Sequence, residues 1–220
     1  MLKALVVSDE VDERLWSGAV RAYSVDLVLG AGDLPYAYVE FLANPLAKPC
    51  VFVPGNHDPD LSGYTRSSGL SMKDGFPATW PGPMGGINAD ETVVDVADVA
   101  GPRVAGLGGS IRYNYGPNQW TERQQACRAR KLVRISERER RKDGHGIDVL
   151  LTHAPPRGLG DRDDPPHCGF ECLHRTIGQL QPKWLLHGHI HPHGELVPDR
   201  TAGETRLRNV VGHQVMEFAL

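Results

Sequence analysis

Five short apolar runs constrain the fold of this chain more than any other feature of its sequence. Each is rich in Val, Leu or Ile, and each ends in polar residues. Continuous apolar runs of this length are typical of strands buried on both faces of a sheet. The segments between them look helical, so we expect crossovers and a largely parallel sheet. The runs are LKALVV, VDLVLGA, CVFVP, IDVLL and KWLL.

The sequence therefore predicts an α/β fold, a single layered domain over residues 1–220 with two mixed sheets. We expect helices at 12–23, 35–43, 121–142 and 169–180, and further strands at 92–98, 102–108, 194–199, 204–210 and 213–220. Residues 54–88 are rich in Gly and Pro and show no period. We expect a long loop there, either as a cover over a site or as a loop that wraps the surface.

Charge and hydropathy exclude some classes of protein. The formal net charge is −3, which argues against a protein held to nucleic acid mainly by bulk positive charge. No apolar run approaches the roughly 20 residues of a membrane helix, and the first ten residues predict a strand rather than a signal peptide. Four cysteines without a C-x-x-C pair favour a reduced state. We therefore expect a cytoplasmic protein without membrane contact, and nothing in the sequence indicates an oligomeric state.

The polar residues that end the five runs are all oxygen or nitrogen donors. Ligands bind at the carboxyl ends of strands in an open parallel sheet, so these side chains should meet at one edge. A donor set without thiolates suits Mn²⁺, Fe or Zn²⁺, and six donors exceed the need of one tetrahedral ion. Two ions roughly 3.5–4 Å apart, bridged by one carboxylate, would use them all. The donors are Asp9, Asp33, Asn56, His153, His189 and His191.

Each donor also has an ordinary structural interpretation when it is considered alone. Asp9 or Asp33 could be the N-cap of a helix. Asn56 could be a turn residue, and His153 a buried histidine with satisfied hydrogen bonds. The agreement of five separate run ends favours the metal site over these alternatives.

At this point the residues resemble a known family, the calcineurin-like metallophosphoesterases. The resemblance rests on Asp9, Gly32-Asp33, Gly55-Asn56-His57-Asp58, His153 and Gly188-His189-Ile190-His191, in this order. The segment from His153 to Asp161 further resembles a subgroup with a His-x-Pro-Pro-x-Gly pattern. The resemblance implies a four-layer α-β-β-α sandwich. It also implies metal-dependent hydrolysis of a small phosphoester, for which we expect a diester rather than a monoester, by a metal-activated hydroxide.

The resemblance implies a role for each matched residue. His57 would stay off the metals and act as general acid or transition-state stabiliser, and Asp58 would orient it. The six donors would form two metal sites: Asp9 and His191 hold the first ion, Asn56, His153 and His189 hold the second, and Asp33 bridges both.

One position departs from the family pattern. The family usually has a histidine two residues after the first aspartate, and here that residue is Val11. Valine cannot bind a metal, so we expect the first site to hold its ion more weakly than the second. Water could fill the gap, or Glu10 or Asp12 could turn inward. The simpler interpretation of Asp12 is the N-cap of the following helix.

Weaker patterns suggest further contacts with the substrate. Arg112, Tyr113, Arg157 and His167 are candidate substrate-binding residues, although an ordinary surface or loop position would explain each of them. The segment 121–144 is strongly basic, with acidic residues among the cations. A solvated helix face is its simpler interpretation, and a docking face for nucleic acid or another acidic partner is the alternative. Two other functions remain open: a domain that binds phosphate without turnover because of Val11, and a nuclease.

Overall fold

The computed structural model describes residues 1–67, 70–96, 101–195 and 197–218. Within these residues it contains four α-helices: α1 (Glu13–Trp16), α2 (Tyr36–Leu46), α3 (Glu122–Asp143) and α4 (Cys172–Leu180). The strands are β1 (Leu2–Ser8), β2 (Leu27–Gly30), β3 (Cys50–Phe52), β4 (Tyr64–Ser67), β5 (Leu70–Lys73), β6 (Phe76–Pro77), β7 (Gly86–Asn88), β8 (Val93–Asp95), β9 (Arg103–Leu107), β10 (Ser110–Ile111), β11 (Gln119–Trp120), β12 (Val149–Thr152), β13 (Trp184–His187), β14 (Arg200–Ala202), β15 (Thr205–Asn209) and β16 (Gly212–Phe218).

Two mixed sheets dominate the fold. The first has the order β16-β1-β2-β3-β7, with β16 antiparallel to β1 and the other pairs parallel. The second has the order β14-β15-β13-β12-β9-β8, with a parallel centre and antiparallel edges. The five apolar runs become β1, β2, β3, β12 and β13, so the predicted pair of mixed sheets is confirmed.

The side chains of each sheet alternate between two cores. Val6 and Leu29 of the first sheet meet Leu151 and Leu186 of the second in a buried layer between the sheets. The opposite face of the first sheet packs against α1 and α2, and that of the second sheet packs against α3 and α4. The order is therefore helix, sheet, sheet, helix, which confirms the expected four-layer sandwich.

Residues 54–88 differ from the expected loop. A small antiparallel sheet of β4, β5 and β6 lies inside this stretch, and β7 joins the edge of the first large sheet. Asp74 and Gly75, both with positive φ, form the two-residue turn between β5 and β6. An Asp-Gly pair is a strong hairpin signal. The apolar pattern did not reveal these strands, because Leu70 and Phe76 are exposed rather than buried.

Two other expectations need correction. The helix expected over 12–23 ends early, because Gly18 at φ 101° separates α1 from a short 3₁₀ turn at Ala19–Ala22. The strand expected over 194–199 is wrong, because none of the described residues there lies in a strand and β14 begins at Arg200. Residues 97–98, 196 and 219–220 of the expected strands lie outside the described residues. Within the described part of the chain, no helix is both long and apolar enough to cross a bilayer.

Candidate metal centre

The candidate donors lie where the central strands of both sheets end. Asp9 follows β1, Asp33 lies beyond β2, and His153 directly follows β12. Asp9, Asp33 and His189 have positive φ angles of 60°, 57° and 70°. Such angles are uncommon outside Gly, although Asp and His adopt them more often than bulky residues do. The chain therefore turns sharply at these strand ends.

Two glycines allow the strand ends to approach each other closely. A Cβ atom on Gly55 would lie 2.0 Å from Asp33 Oδ1, and one on Gly188 would lie 2.1 Å from Asp9 Oδ2. Neither distance leaves room for a side chain. The glycines that precede Asn56 and His189 in the sequence are thus required by packing around the carboxylates.

Three donors form a tight group. Asp33, His153 and His189 each offer one ligand atom, and these atoms all lie within 4.8 Å of one another. His153 Nε2 is 3.2 Å from Asp33 Oδ2 and 3.0 Å from Asn56 Oδ1. Among the described residues, no other set of three His, Cys, Asp or Glu side chains is grouped so closely. Oxygen and imidazole nitrogen suit the expected divalent cations.

Backbone carbonyls orient both imidazoles of this triad. His153 Nδ1 donates to the Ala31 carbonyl at 2.8 Å, and His189 Nε2 donates to the Pro166 carbonyl at 2.7 Å. A carbonyl only accepts, so these nitrogens carry protons, and the ring nitrogens that could bind a metal are His189 Nδ1 and, once it is deprotonated, His153 Nε2. Histidines that bind metals are usually held by such a bond at the second ring nitrogen. The residues present therefore fit a metal ion.

The charges of the triad are complementary. Burial favours the neutral forms of Asp33 and His153, but each stabilises the charge of the other, so the pKa of Asp33 is lowered and that of His153 is raised. Burial lowers the pKa of His189 to about 3, which leaves its ring neutral. A cation bound among these groups would replace the proton of His153, because metal ligands must be deprotonated.

The residues predicted to hold a first ion form no comparably tight group among the described residues. Asp9 Oδ2 accepts hydrogen bonds from the Ser8 hydroxyl and from the backbone N–H of His189. His191 Nδ1 lies 3.0 Å from Glu10 Oε1, and no hydrogen bond among the described residues engages its Nε2. Neither Asp9 nor His191 belongs to the tight triad.

The residues around Val11, where the family usually has a histidine, point in different directions. Val11 packs against the core beneath α1 and α2. Asp12 caps α1 by accepting from the Arg14 N–H at 2.9 Å, in line with its simpler interpretation. Glu10 is the residue of this segment that turns toward a candidate ligand, His191.

The Asn56–Asp58 turn is tied to the centre through its backbone. The backbone N–H of His57 donates to Asp33 Oδ1 at 2.8 Å, and His57 is an exposed residue. The buried carboxylate of Asp58 accepts the N–H groups of Asp33 at 2.9 Å and Gly55 at 2.7 Å. Among the described contacts, none joins Asp58 to the His57 ring. Burial raises the pKa of Asp58 to about 6.

The four candidate substrate residues separate into two pairs. Tyr113 and His167 lie beside the centre: the Tyr113 hydroxyl is 3.2 Å from Asn56 Nδ2, and the His167 ring centroid is 5.4 Å from that of His189. The guanidinium groups of Arg112 and Arg157 are engaged elsewhere. Arg112 donates to the Gln119 carbonyl and the Gln124 amide oxygen, and Arg157 pairs with two aspartates of its own loop. The described contacts do not join either arginine to the triad.

Sequence reasoning missed two residues that hold the site. The buried Asn118 amide donates to the carbonyls of Gly55 and Asp58, each at 2.9 Å, and so closes the turn that carries Asn56. Arg162 donates to the carbonyl of His191 at 2.5 Å. Both contacts join distant parts of the chain, so a local sequence pattern cannot predict them.

Comparisons with known proteins bear on the family and the fold of this chain. A family model described as calcineurin-like phosphoesterase matches residues 8–193. UPF0046 protein C25E10.12 of Caenorhabditis elegans is 41% identical over 70 residues, which cover 29% of this chain and 24% of that protein. UPF0046 protein T07D4.2 of the same organism is 44% identical over 48 residues, which cover 21% and 12%. The matched segments thus span less than a quarter of these relatives' length.

Solved structures share the fold. The crystal structure of TT1561 of Thermus thermophilus aligns with a TM-score of 0.57 at 14% identity, over 94% of this chain and 87% of that one. A further crystal structure aligns over 99% of both chains, with a TM-score of 0.60 at 12% identity. Identities this low indicate the fold alone. The family model matches most of the chain, so this protein belongs to the calcineurin-like phosphoesterase family.

Proposed function

We propose that this protein hydrolyses phosphoesters in small molecules with the help of two divalent cations, and that it prefers diesters to monoesters. The observation that supports this most is the triad of Asp33, His153 and His189, whose ring nitrogens are already oriented for an ion. Family membership supports metal-dependent phosphoester hydrolysis in general.

The proposed ligand sets follow the strand ends. His153 Nε2, Asn56 Oδ1 and a ring nitrogen of His189 would hold the second ion, Asp33 would bridge, and Asp9 and His191 would hold the first. Mn²⁺, Fe or Zn²⁺ suits this donor set. When bound, such ions lower the pKa of a coordinated water and neutralise phosphate oxygens.

His57 is the proposed general acid. The backbone N–H of His57 is bonded to Asp33, and the residue is exposed, so the ring has room to approach a leaving oxygen and donate a proton. Asp58 would act on His57 indirectly, by fixing the turn through its bonds to the backbone. Tyr113 and His167 are proposed to contact the substrate, because they lie beside Asn56 and His189.

The charge of the site supports the preference for a diester. A phosphodiester carries one negative charge, whereas a monoester carries up to two near neutral pH. Arg112 and Arg157, the expected guanidinium contacts, are bonded to protein acceptors. They would have to leave these acceptors to bind phosphate, so the additional positive charge that favours a monoester is not in place.

A substrate panel tests this proposal. Protein stripped with EDTA and reloaded with Mn²⁺, Zn²⁺ or Fe²⁺ should hydrolyse aryl phosphodiesters faster than the matching monoesters. The competing function is a domain that binds phosphate without turnover, for which the weakened first site is the motivation. Calorimetric binding of inorganic phosphate without hydrolysis of any panel member under any metal would favour that alternative.

The two metal sites should differ in affinity. We expect titration of stripped protein with Mn²⁺ to show one tight and one weak site, because the triad is compact and the first site lacks an imidazole at Val11. His153→Ala should remove the tight site and His191→Ala the weak one, as measured by isothermal titration calorimetry and elemental analysis. Two sites of equal affinity in the unaltered protein would contradict the prediction.

Glu10 should act as a positioning residue for the weak site. Its carboxylate accepts from His191 Nδ1 and so presents Nε2 to the first ion. Loss of such an outer partner typically weakens a metal about 10–100-fold. Glu10→Gln should therefore weaken the first site by about that factor and leave the second unchanged. Glu13→Gln, at an exposed position in α1, is the matched control. Equal affinities in both variants would remove this role from Glu10.

A further inference from the structure

The solvent face of α3 carries a row of arginines, which we call the α3 arginine stripe. Its members lie on one side of the helix, within an arc of about 80° at 3.6 residues per turn. All are exposed, and they lie opposite the face that buries Gln125, Leu132 and Ser136. From first to last the stripe is about 27 Å long. Its members are Arg123, Arg130, Arg134, Arg138 and Arg141.

Two of the four carboxylates of α3 are engaged away from the stripe. Glu122 accepts two N–H groups at the start of α4, and Asp143 pairs with Arg103. Glu139 pairs with Lys142 and is 3.9 Å from Arg138, and Glu137 is the remaining acid at the edge of the arc. Among the described residues, no carboxylate lies within 4.0 Å of the other four arginines of the stripe. The positive charge of the stripe is therefore largely uncompensated.

The side chains of the stripe indicate which kind of partner it can bind. Guanidinium groups bind phosphate in a bidentate manner that ammonium groups cannot match. Between the arginines the arc presents Cys127 and Glu137 and no large apolar side chain, so it has nothing to insert into a lipid surface. It has no aromatic ring on which unpaired bases could stack. Among partners that present phosphates, a double-stranded nucleic acid fits this composition best, because its phosphates form a continuous row and its bases are paired.

We propose that the α3 arginine stripe docks on the phosphate backbone of double-stranded nucleic acid without reading its sequence. Laid along a duplex, a length of about 27 Å covers roughly eight base pairs at 3.4 Å of axial rise each, so the row can meet phosphates of both strands as they pass beneath it. Contacts with phosphates carry no sequence information. The net charge of −3 does not oppose this, because local fields rather than the total charge govern such docking. This binding does not depend on metal or on hydrolysis.

Salt dependence is the direct test. Fluorescence anisotropy with a labelled 20-base-pair DNA duplex, in EDTA, would give the affinity at several salt concentrations. Five phosphate contacts predict a slope of log K against log salt of about −4.5, or about 500-fold weaker binding at 200 mM than at 50 mM salt. The triple variant Arg130→Gln, Arg134→Gln, Arg138→Gln should bind with a slope of about −1.8.

A matched control removes the same charge elsewhere. Arg21, Lys48 and Lys73 are exposed outside α3, and replacing all three by Gln should leave the slope within about one unit of the unaltered value. Equal slopes in the two triple variants would overturn the proposal, as would the absence of duplex binding at 50 mM salt. Binding to phosphatidylserine vesicles but not to the duplex would also overturn it, in favour of a membrane partner.

Cys127 offers a readout that is independent of affinity. It is exposed within the stripe, with its sulfur 3.1 Å from Arg130 Nη2, whereas Cys50 is buried. The duplex should slow alkylation of Cys127 by a maleimide at least tenfold at saturation. Cys50 should stay unmodified throughout, which reports that the fold is intact. Alkylation of Cys127 at an unchanged rate under saturating duplex would show that the nucleic acid binds elsewhere.

Discussion

Replacing Asp33 by asparagine should abolish tight metal binding and reduce turnover by at least about 10³-fold, well beyond the roughly 10–100-fold effect of an outer-shell partner. Asp33 Oδ2 is 3.2 Å from His153 Nε2, and we propose that this carboxylate bridges both ions. Asparagine keeps the shape and retains Oδ1 as an acceptor for the His57 N–H. The loss should therefore come from the missing charge rather than from a displaced turn.

The measurements are metal content after dialysis, the Mn²⁺ titration and kcat on an aryl phosphodiester. Circular dichroism would establish that the variant remains folded. Asp60→Asn is the matched control, because Asp60 is an exposed acid just beyond the Asn56–Asp58 turn and should leave all three quantities unchanged. If Asp33→Asn retained two bound ions and most of its activity, the proposed metal centre would be wrong.

Replacing His57 by alanine should leave metal content unchanged but lower kcat by about 10²–10⁴-fold. The exposed ring is proposed to protonate the leaving oxygen, and the side chain belongs to neither ligand set. The size of the loss should depend on the leaving group. An alkoxide needs the proton far more than a nitrophenolate does, so the loss should be largest for alkyl diesters.

This dependence separates an acid from a residue that merely supports the turn. A purely structural defect would lower kcat by the same factor for both leaving groups. His145→Ala is the control, because His145 lies in the loop after α3 and bonds to Asp148 rather than to the centre. Near-full activity of His57→Ala on an alkyl diester would exclude His57 from the proton transfer.

Two features of the structure connect these predictions. Asp33 receives the His57 N–H on one oxygen and faces His153 with the other, while Asp58 binds the Asp33 N–H. The proposed acid and the proposed bridge therefore belong to one hydrogen-bonded turn. Asn118 closes that turn from a distant segment of the chain. Changes to Asn118 should accordingly affect metal binding and proton donation together.

The sequence by itself determined the two mixed sheets and the polar side chains at the ends of their strands. Burial on both faces requires long apolar side chains, so Val- and Leu-rich runs such as those that became β1 and β12 could be identified without coordinates. The carboxyl ends of neighbouring parallel strands share an edge, so Asp9 and Asp33 could be placed together from their positions after two such runs. His153 follows a strand of the other sheet, and only the packing of the two sheets brings it to Asp33. A local sequence pattern is enough to identify a buried strand or the polar residue that follows it.

Tertiary structure alone decided how those donors are held and what surrounds them. The carbonyls that orient His153 and His189, the Glu10 contact with His191 and the Asn118 clamp all join residues far apart in the sequence. The same holds for α3, whose sequence mixes both charges but whose Glu122 and Asp143 bind groups on other elements in the folded chain. A hydrogen bond or an ion pair depends on the distance between two atoms, and that distance exists only after the chain has folded.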